Sequence, residues 1–241
     1  MTGHLRNAAI LWLLLTVLGE VVALRARIYP PAAAEEAQVV DGAFRLLLLL
    51  AVPVFTFVLA ALLYSVARFR VRGEPRGDGP PLHGRGAVPW VWLAVTTALA
   101  VYVIFNPGLR GLAELRANPT ADLVVRVEGT RWLWRISYPQ YGRTAREVVL
   151  PLGRRVRFDV TATDVVHSFW IPAFRMKIDA VPGMTTRVFV TPTAVGSFQD
   201  NVHFRLQCAE LCGLGHYLMR SPVRVVDPQE FEAWVAEAKA R

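Results

Sequence analysis

Long apolar runs dominate the first 105 residues, and short strand-like runs follow from residue 121 onward. The apolar runs cover residues 8–24, 46–67 and 88–105. The second and third runs carry no charge and are long enough to cross a bilayer as helices, with Pro53 as a tolerated kink. The first run is shorter and contains Glu20, so a cleaved signal peptide is the alternative to a retained span. We favour a retained helix, because the nearest small-residue cluster, residues 32–34, lies well downstream.

The polar segments between these runs predict how the chain crosses the membrane. Residues 25–41 are predicted to be an exposed connector. The Gly/Pro-rich loop 68–85 is expected to be cytoplasmic, because basic loops remain on that side. Its arginines are Arg68, Arg70, Arg72, Arg76 and Arg85. The amino terminus is then inside, and the carboxyl-terminal portion lies on the periplasmic or outer face of a bacterial plasma membrane.

The residues after 118 predict an all-β domain, since short β-rich runs alternate with turn residues at the spacing of a sandwich or barrel. A final short helix is expected to start at Asp227-Pro228 and to run to about Lys239, with Phe231, Trp234 and Val235 on one side. The predicted organisation is an apolar helix with connector (1–43), a transmembrane hairpin (44–117), a β domain (118–226) and a terminal helix (227–241). The predicted strands are residues 123–128, 133–138, 146–150, 156–162, 185–190, 202–207 and 223–226.

The net charge of +8 is spread evenly along the chain. Up to residue 117 there are 11 Lys and Arg against 7 Asp and Glu, and from residue 118 on there are 16 against 12. Each part therefore carries +4 and no basic arm is present. Membrane orientation accounts for the charge better than nucleic acid does, so we expect no nucleic-acid partner.

The densest chemistry lies between residues 208 and 219, which contain both cysteines of the chain, Cys208 and Cys212, followed by His216 and Met219. Thiolate, imidazole and thioether donors suit a soft or borderline metal, copper above all. A disulfide and a tetrahedral zinc site are the alternatives. A blue-copper site is disfavoured, because it uses one cysteine thiolate rather than two. If both sulfurs bridge two metals, each metal needs one further strong ligand, and His167 is the candidate partner of His216.

Two motifs carry a family resemblance. Residues 208–219 read Cys-x-Glu-x-Cys-x-x-x-His-x-x-Met, and residues 167–183 read HSFWIPAFRMKIDAVPG. Together with the preceding membrane hairpin, they resemble the copper A subunit of haem-copper oxidases, the cytochrome c oxidase subunit II family. The resemblance covers roughly residues 44–226. It implies a membrane-anchored all-β protein in which transmembrane helices precede a cupredoxin-like Greek-key β-barrel.

The resemblance also implies residue roles. Cys208 and Cys212 would bridge a binuclear copper centre, with His167 and His216 as terminal ligands and Met219 as a weak axial ligand. The backbone carbonyl of Glu210 would be a second weak copper ligand, and its side chain would help to bind magnesium at a subunit interface. Trp132, in the segment Arg-Trp-Leu-Trp-Arg, would be the surface residue through which electrons enter; the alternative is that Trp132 and Trp134 both lie in the core. Separately from the resemblance, the position of Asp164 three residues before His167 makes it a candidate to orient that ring, with a solvated turn aspartate as the alternative.

The implied activity is electron transfer from cytochrome c, or from a donor held in a larger complex, to haem in catalytic subunit I of a proton-translocating oxidase with further subunits. The alternatives are a copper A subunit of a nitric oxide reductase, a quinol-oxidase-like structural subunit, and a copper carrier. The chain departs from the family between residues 83 and 92, where the glutamate that many relatives link to proton uptake is missing. Because Arg131 and Arg135 flank Trp132, we expect an acidic, neutral or complex-bound donor.

Overall fold

A computed structural model describes residues 2–26, 28–70, 73, 84 and 86–237. It divides the chain into a helical unit, residues 1–28 and 42–112, and a β-rich unit, residues 29–41 and 113–241. Most of the predicted basic loop lies outside the described residues, including Arg72, Arg76 and Arg85. The predicted end of the last helix near Lys239 also lies outside them.

Three helices of the described residues are long and apolar enough to cross a membrane. They are α1 (Thr2–Arg25), α2 (Glu35–Phe69) and α3 (Ala87–Val103). The helix α3 runs into a π-helical turn, Ile104–Leu109, and then into α4 (Arg110–Arg116). Asn106 has non-helical dihedral angles in that turn, so the helix is kinked at Asn-Pro-Gly.

The helices α1 and α2 pack antiparallel through small and polar side chains. Gly19 faces Val52, and the hydroxyls of Thr16 and Thr56 lie 2.7 Å apart. The Trp12 indole donates a hydrogen bond to the carbonyl of Pro53, where the helix α2 carries its proline. Such close contacts and interhelical hydrogen bonds are how helices associate in lipid, where apolar side chains gain little from meeting one another.

The β-rich unit is a flattened barrel of two sheets, which confirms the expected architecture. One sheet has the order β3-β2-β1-β5-β8 and the other β4-β11-β10-β6-β7, with the short strand β9 beside β11. Alternate residues of the strands point between the sheets and form the core. The strands are β1 (Leu123–Thr130), β2 (Leu133–Tyr138), β3 (Arg143–Ala145), β4 (Val148–Pro151), β5 (Val156–Ala162), β6 (His167–Ile171), β7 (Met176–Ala180), β8 (Thr186–Val190), β9 (Gly196–Ser197), β10 (Arg205–Cys208) and β11 (Arg220–Val226).

The closing helix α5 (Pro228–Ala236) begins with proline at its first position, as predicted, and buries Phe231, Trp234 and Val235. Its aromatic side chains contact the ring of Tyr138.

The segment from Tyr29 to Asp41 belongs to the β-rich unit, and the prediction that it is an exposed connector was wrong. Ala33, Ala34, Glu36 and Ala37 are buried. The backbone N–H of Ala33 donates to the carbonyl of Ala173, and its carbonyl accepts from the N–H of Thr193. Small alanine side chains let this segment lie close against the β-strands, and its hydrogen bonds satisfy backbone groups that would otherwise be buried without partners.

Candidate metal centre

Strand pairing brings the two motifs together. Cys208 ends β10 and His167 begins β6, and these strands are antiparallel neighbours with Cys208 opposite Phe169. His167 is therefore next to Cys208 in space although 41 residues separate them in sequence. After β10 the chain forms a loop that carries Cys212 and closes in a short 3-10 turn, His216–Leu218. Met219 follows that turn, and its carbonyl accepts a hydrogen bond from the N–H of Cys208, which ties the two ends of the loop together.

Each thiol faces its own imidazole. The Sγ atom of Cys208 lies 3.8 Å from Nδ1 of His167, and the Sγ atom of Cys212 lies 3.6 Å from Nδ1 of His216. The two sulfurs are 3.8 Å apart. The thioether sulfur of Met219 lies 3.8 Å from the Sγ atom of Cys212. The carbonyl oxygen of Glu210 lies 3.1 Å from the Sγ atom of Cys208. All six predicted positions are thus linked by contacts of 3.1 to 3.8 Å, and the ligand atoms of His167, Cys208 and Cys212 lie within 4.8 Å of one another.

This donor set fits a soft or borderline metal. Both cysteines are free thiols, and at 3.8 Å their sulfurs are far beyond the 2.05 Å of a disulfide bond. That separation is less than twice the length of a metal–thiolate bond, about 2.3 Å, so one ion can bond to both sulfurs. Burial and the neighbouring thiol of Cys208 raise the pKa of Cys212 to about 11. In the metal-free protein this thiol is therefore protonated near neutral pH, and metal binding must displace its proton.

The ring of His167 is oriented by Asp164. Its Nε2 atom lies 2.9 Å from Oδ1 of Asp164, and an ionised carboxylate can only accept a hydrogen bond. With Nε2 as the donor, Nδ1 is left unprotonated and directed at the thiol of Cys208. Partial burial disfavours the charged carboxylate, but hydrogen bonds from His167, Val165 and Arg131 outweigh it and hold the pKa of Asp164 well below its usual range. Arg131 contributes both its backbone N–H and its side chain.

The two tryptophans of the segment 131–135 have different environments. Trp134 is 4% exposed and packs edge-on against His167. Trp132 is 40% exposed and lies against the ligand loop: a methyl group built on Gly215 would come within 2.4 Å of its indole. Gly215 directly precedes His216 in the chain. Trp132 therefore spans the distance between the protein surface and the backbone of a candidate ligand.

The side chains of Glu210, Asp179, Lys177 and His203 take no part in the sulfur and imidazole contacts described above. The side chain of Glu210 is exposed and has no hydrogen bond or ion pair among the described residues. Asp179 lies on β7, opposite Ser168, and Lys177 on the same strand lies opposite Trp170. His203 belongs to the loop before β10, where its backbone N–H is bonded to the side chain of Asn201.

Sequence reasoning missed three residues that support the site. Arg131 holds Asp164, and Gly129 and Gly215 leave room for ring systems. A methyl group on Gly129 would lie 3.0 Å from both His167 and Trp134. The only signal in the sequence is a glycine inside a strand pattern, which often marks the close approach of another group.

A family profile described as cytochrome C oxidase subunit II, periplasmic domain, matches residues 143–226. The chain is 30% identical to cytochrome c oxidase subunit 2 of Thermostichus vulcanus over 263 aligned positions, covering 88% of this chain and 78% of that protein. It is 29% identical to the Synechocystis protein of the same name, covering 86% and 74%. The crystal structure of the periplasmic domain of subunit II from Bradyrhizobium japonicum is 34% identical, covers 51% of this chain and 96% of that chain, and superposes with a TM-score of 0.46.

Proposed function

Because the chain belongs to the cytochrome c oxidase subunit II family, whose members are part of haem-copper terminal oxidases, we propose that it receives electrons from cytochrome c at a binuclear copper A centre and passes them to haem in the catalytic subunit. The observation that carries this proposal is the pairing of each buried thiol with a separate imidazole Nδ1. A tetrahedral single-metal site would bring both thiols and both imidazoles to one ion. Among the described residues, the ligand atoms of His167, Cys208 and Cys212 lie within 4.8 Å of one another, and His216 is not part of that group.

The residues of this chain would divide the work as follows. Cys208 and Cys212 bind as thiolates, His167 and His216 as neutral imidazoles, and Met219 and the carbonyl of Glu210 as weak ligands. When bound, the copper pair supplies a one-electron couple. The donor residues His167, Cys208, Cys212 and Met219 are buried, which restricts how far their side chains can move as the charge of the site changes. Asp164 keeps His167 in the tautomer that presents Nδ1.

Trp132 is the proposed residue through which electrons enter. The support is its partial exposure together with its contact with Gly215, directly before His216. We expect Trp132→Leu to slow reduction by cytochrome c while leaving the copper spectrum intact. Val195→Ala, which shortens an exposed side chain between β8 and β9, is the control. Equal rates in all three proteins would contradict the role of Trp132.

The exposed carboxylate of Glu210 is proposed to take part in binding magnesium between this chain and the catalytic subunit. Magnesium is a hard cation that takes oxygen ligands and usually keeps several waters. A single carboxylate ligand from this chain is therefore enough for the proposed site. Its place between the two thiols would set that ion beside the electron path.

The membrane arrangement is also a proposal: three spans, with the amino terminus inside and the β-rich unit on the outer face of a bacterial plasma membrane. It is supported by the three long apolar helices and by the family profile for a periplasmic domain.

Metal analysis of the full chain, purified in neutral detergent and reconstituted with copper, tests the function. We expect two coppers per chain and an electron paramagnetic resonance signal in which one unpaired electron is shared by two copper nuclei. Cys208→Ser and Cys212→Ser should each abolish that signal, because a hydroxyl does not replace a bridging thiolate. One copper per chain, or a signal from a single nucleus, would overturn the binuclear centre.

A further inference from the structure

The outer face of the first sheet carries four arginines beside the proposed site of electron transfer. Their side chains alternate with core residues along β1, β2, β5 and β8, so they point away from the barrel interior. The strand register places them close together: Arg126 lies opposite Asp159, and Asp159 lies opposite Arg187. We call this surface the arginine face; its arginines are Arg126, Arg135, Arg157 and Arg187.

The carboxylates on this face are less exposed than the arginines that pair with them. Arg135 is 66% exposed against 35% for Glu128, and Arg187 is 63% exposed against 12% for Asp159. Arg157 also pairs with Asp159. Arg126 is exposed and has no ion pair among the described residues. Four guanidinium groups over two partly covered carboxylates give the face a positive potential toward solvent.

The arginine face is continuous with the apolar surface around Trp132. Leu133 begins β2 and is exposed, and Arg135 follows two residues later on the same side of the strand. Two residues of a strand span about 7 Å. Trp132 in turn lies against the loop that carries the exposed side chains of Leu214 and Tyr217. An apolar patch bordered by charge of one sign is the composition of a protein-docking surface.

We propose that the arginine face docks an acidic surface of the redox protein that donates electrons to this chain. The proposal rests on the proposed function, since it takes Trp132 as the point of contact. The apolar residues around Trp132 form the centre of the interface, and the arginines steer the partner toward it. A donor with a basic face is disfavoured, because it would bring like charges together at the rim.

The test uses one cytochrome c in two forms: the native basic protein, and the same protein with its lysines succinylated so that its surface becomes acidic. Binding to the full chain in neutral detergent is measured without copper, at low salt and at 0.5 M salt. We expect the acidified form to bind about tenfold more tightly at low salt, with the difference lost at high salt, where the Debye length falls to a few ångströms. The rate of copper reduction should follow the same order.

Variants locate the effect on the surface. Arg126→Glu with Arg135→Glu should abolish the preference for the acidified form, and Arg126→Gln, which breaks no ion pair, should reduce it. Arg116→Glu changes the net charge by two and is the control for the single variant Arg126→Glu, which changes it by the same amount. Arg116 lies in α4, two residues before Asn118, whose carbonyl accepts a hydrogen bond from Arg155 beside the start of β5. That is the end of the sheet opposite Trp132, so this variant should change binding less than twofold.

Tighter binding of the native basic cytochrome, or a preference for the acidified form that survives the Arg126 variants, would overturn the docking surface. Neither result changes the two-copper signal, so the proposal of a binuclear metal centre would remain supported. If neither form binds, the docking surface and the role as acceptor of cytochrome electrons both fail. Loss of the two-copper signal alone, with the charge preference intact, would overturn the metal centre and leave the docking surface supported.

Discussion

At the scale of single residues, the site combines strong donors, which hold a metal, with weak donors, which adjust its properties. Met219 is almost fully buried and lies 3.8 Å from the sulfur of Cys212, while its neighbours Leu218 and Arg220 are exposed. A methionine at this position can therefore serve both as a core residue and as an axial ligand. Mutation separates the two roles, because leucine keeps the volume and removes the sulfur.

We expect Met219→Leu to retain both coppers and to raise the reduction potential, since an apolar neighbour in place of a donor favours the less charged reduced form. The swap nearly conserves volume, so it should lower the free energy of unfolding by less than about 1.5 kcal/mol. Redox titration followed by absorbance measures the potential. Met176→Leu, in β7, is the matched control. An unchanged potential and spectrum would show that Met219 is a core residue only.

The second prediction at the scale of residues concerns Asp164, which contacts the proposed ligand His167 rather than the metal. Asp164→Ala removes the acceptor for Nε2 of His167 and should weaken copper binding about 10- to 100-fold. Asp164→Asn can still accept that hydrogen bond through its side-chain carbonyl and should recover part of the affinity. Competition with a copper chelator measures both. Equal affinities of the two variants with the unaltered protein would show that Asp164 only shapes the turn.

The sequence placed all six candidate ligands in two motifs, and the structure brings these residues together. Their role as metal ligands stays a prediction. The resemblance singled out Trp132 as the surface residue, but the residue pattern alone left open that Trp132 and Trp134 both lie in the core. Residues two apart share a face in a strand, but β2 begins only at Leu133, so Trp132 lies in the hairpin and reaches a different surface. Gly215 carries no local signal at all, since the ring that needs its space is more than 80 residues away in the chain.

At the scale of elements, the segment Tyr29–Asp41 acts as a strap on the β-rich unit. The carboxylate of Glu36 is buried and accepts hydrogen bonds from the side chain of Arg155 and the backbone N–H of Thr191. Further along, Asp41 is paired with Arg175, which closes the turn after β6. Sequence patterns could not predict the strap, because alanines and acidic residues are typical of exposed segments and the partners lie more than 100 residues away.

Glu36→Gln tests the strap. It removes the charge that faces Arg155 and should lower the free energy of unfolding of the β-rich unit by about 1–3 kcal/mol. Glu35→Gln, at the neighbouring exposed position, should change it by less than about 0.5 kcal/mol. Denaturant unfolding followed by tryptophan fluorescence compares the two. If Glu36→Gln and Glu35→Gln lower the free energy of unfolding equally, the buried ion pair of Glu36 with Arg155 contributes no stability.

The strands β6 and β7 were not predicted from the sequence, for a different reason. Residues 167–171 form a short apolar run that ends at a proline, and periodicity does not distinguish such a run from a buried loop. The seven strands that were predicted all have counterparts in the structure, since alternation or β-branched residues mark them. The short strands β3 and β9 depend on pairing with neighbours that only the folded chain supplies.

At the scale of the whole chain, the strap bears on whether the first helix is retained. Cleavage within the run Ala32–Ala34 would cut through the residues that pack on the β-rich unit. Such a cleavage would separate Ala33 from its neighbours in the chain and disrupt its backbone hydrogen bonds with Ala173 and Thr193. The helix α1 also makes specific contacts with α2 through Trp12 and Thr16, which a discarded leader would not need. We therefore expect the helix α1 to remain in the mature protein.

Amino-terminal sequencing of the protein purified from membranes decides this. We expect a sequence that begins at or next to Met1, and a cysteine introduced near residue 3 should be labelled only from the cytoplasmic side. Thr16→Leu with Thr56→Leu, which removes the paired hydroxyls, should leave the start of the mature chain unchanged and loosen the contact between α1 and α2. A mature start between residues 25 and 42 would show that the first helix is a cleaved signal. The strap would then begin with a free amino group near Ala33, and the membrane anchor would be a two-helix hairpin.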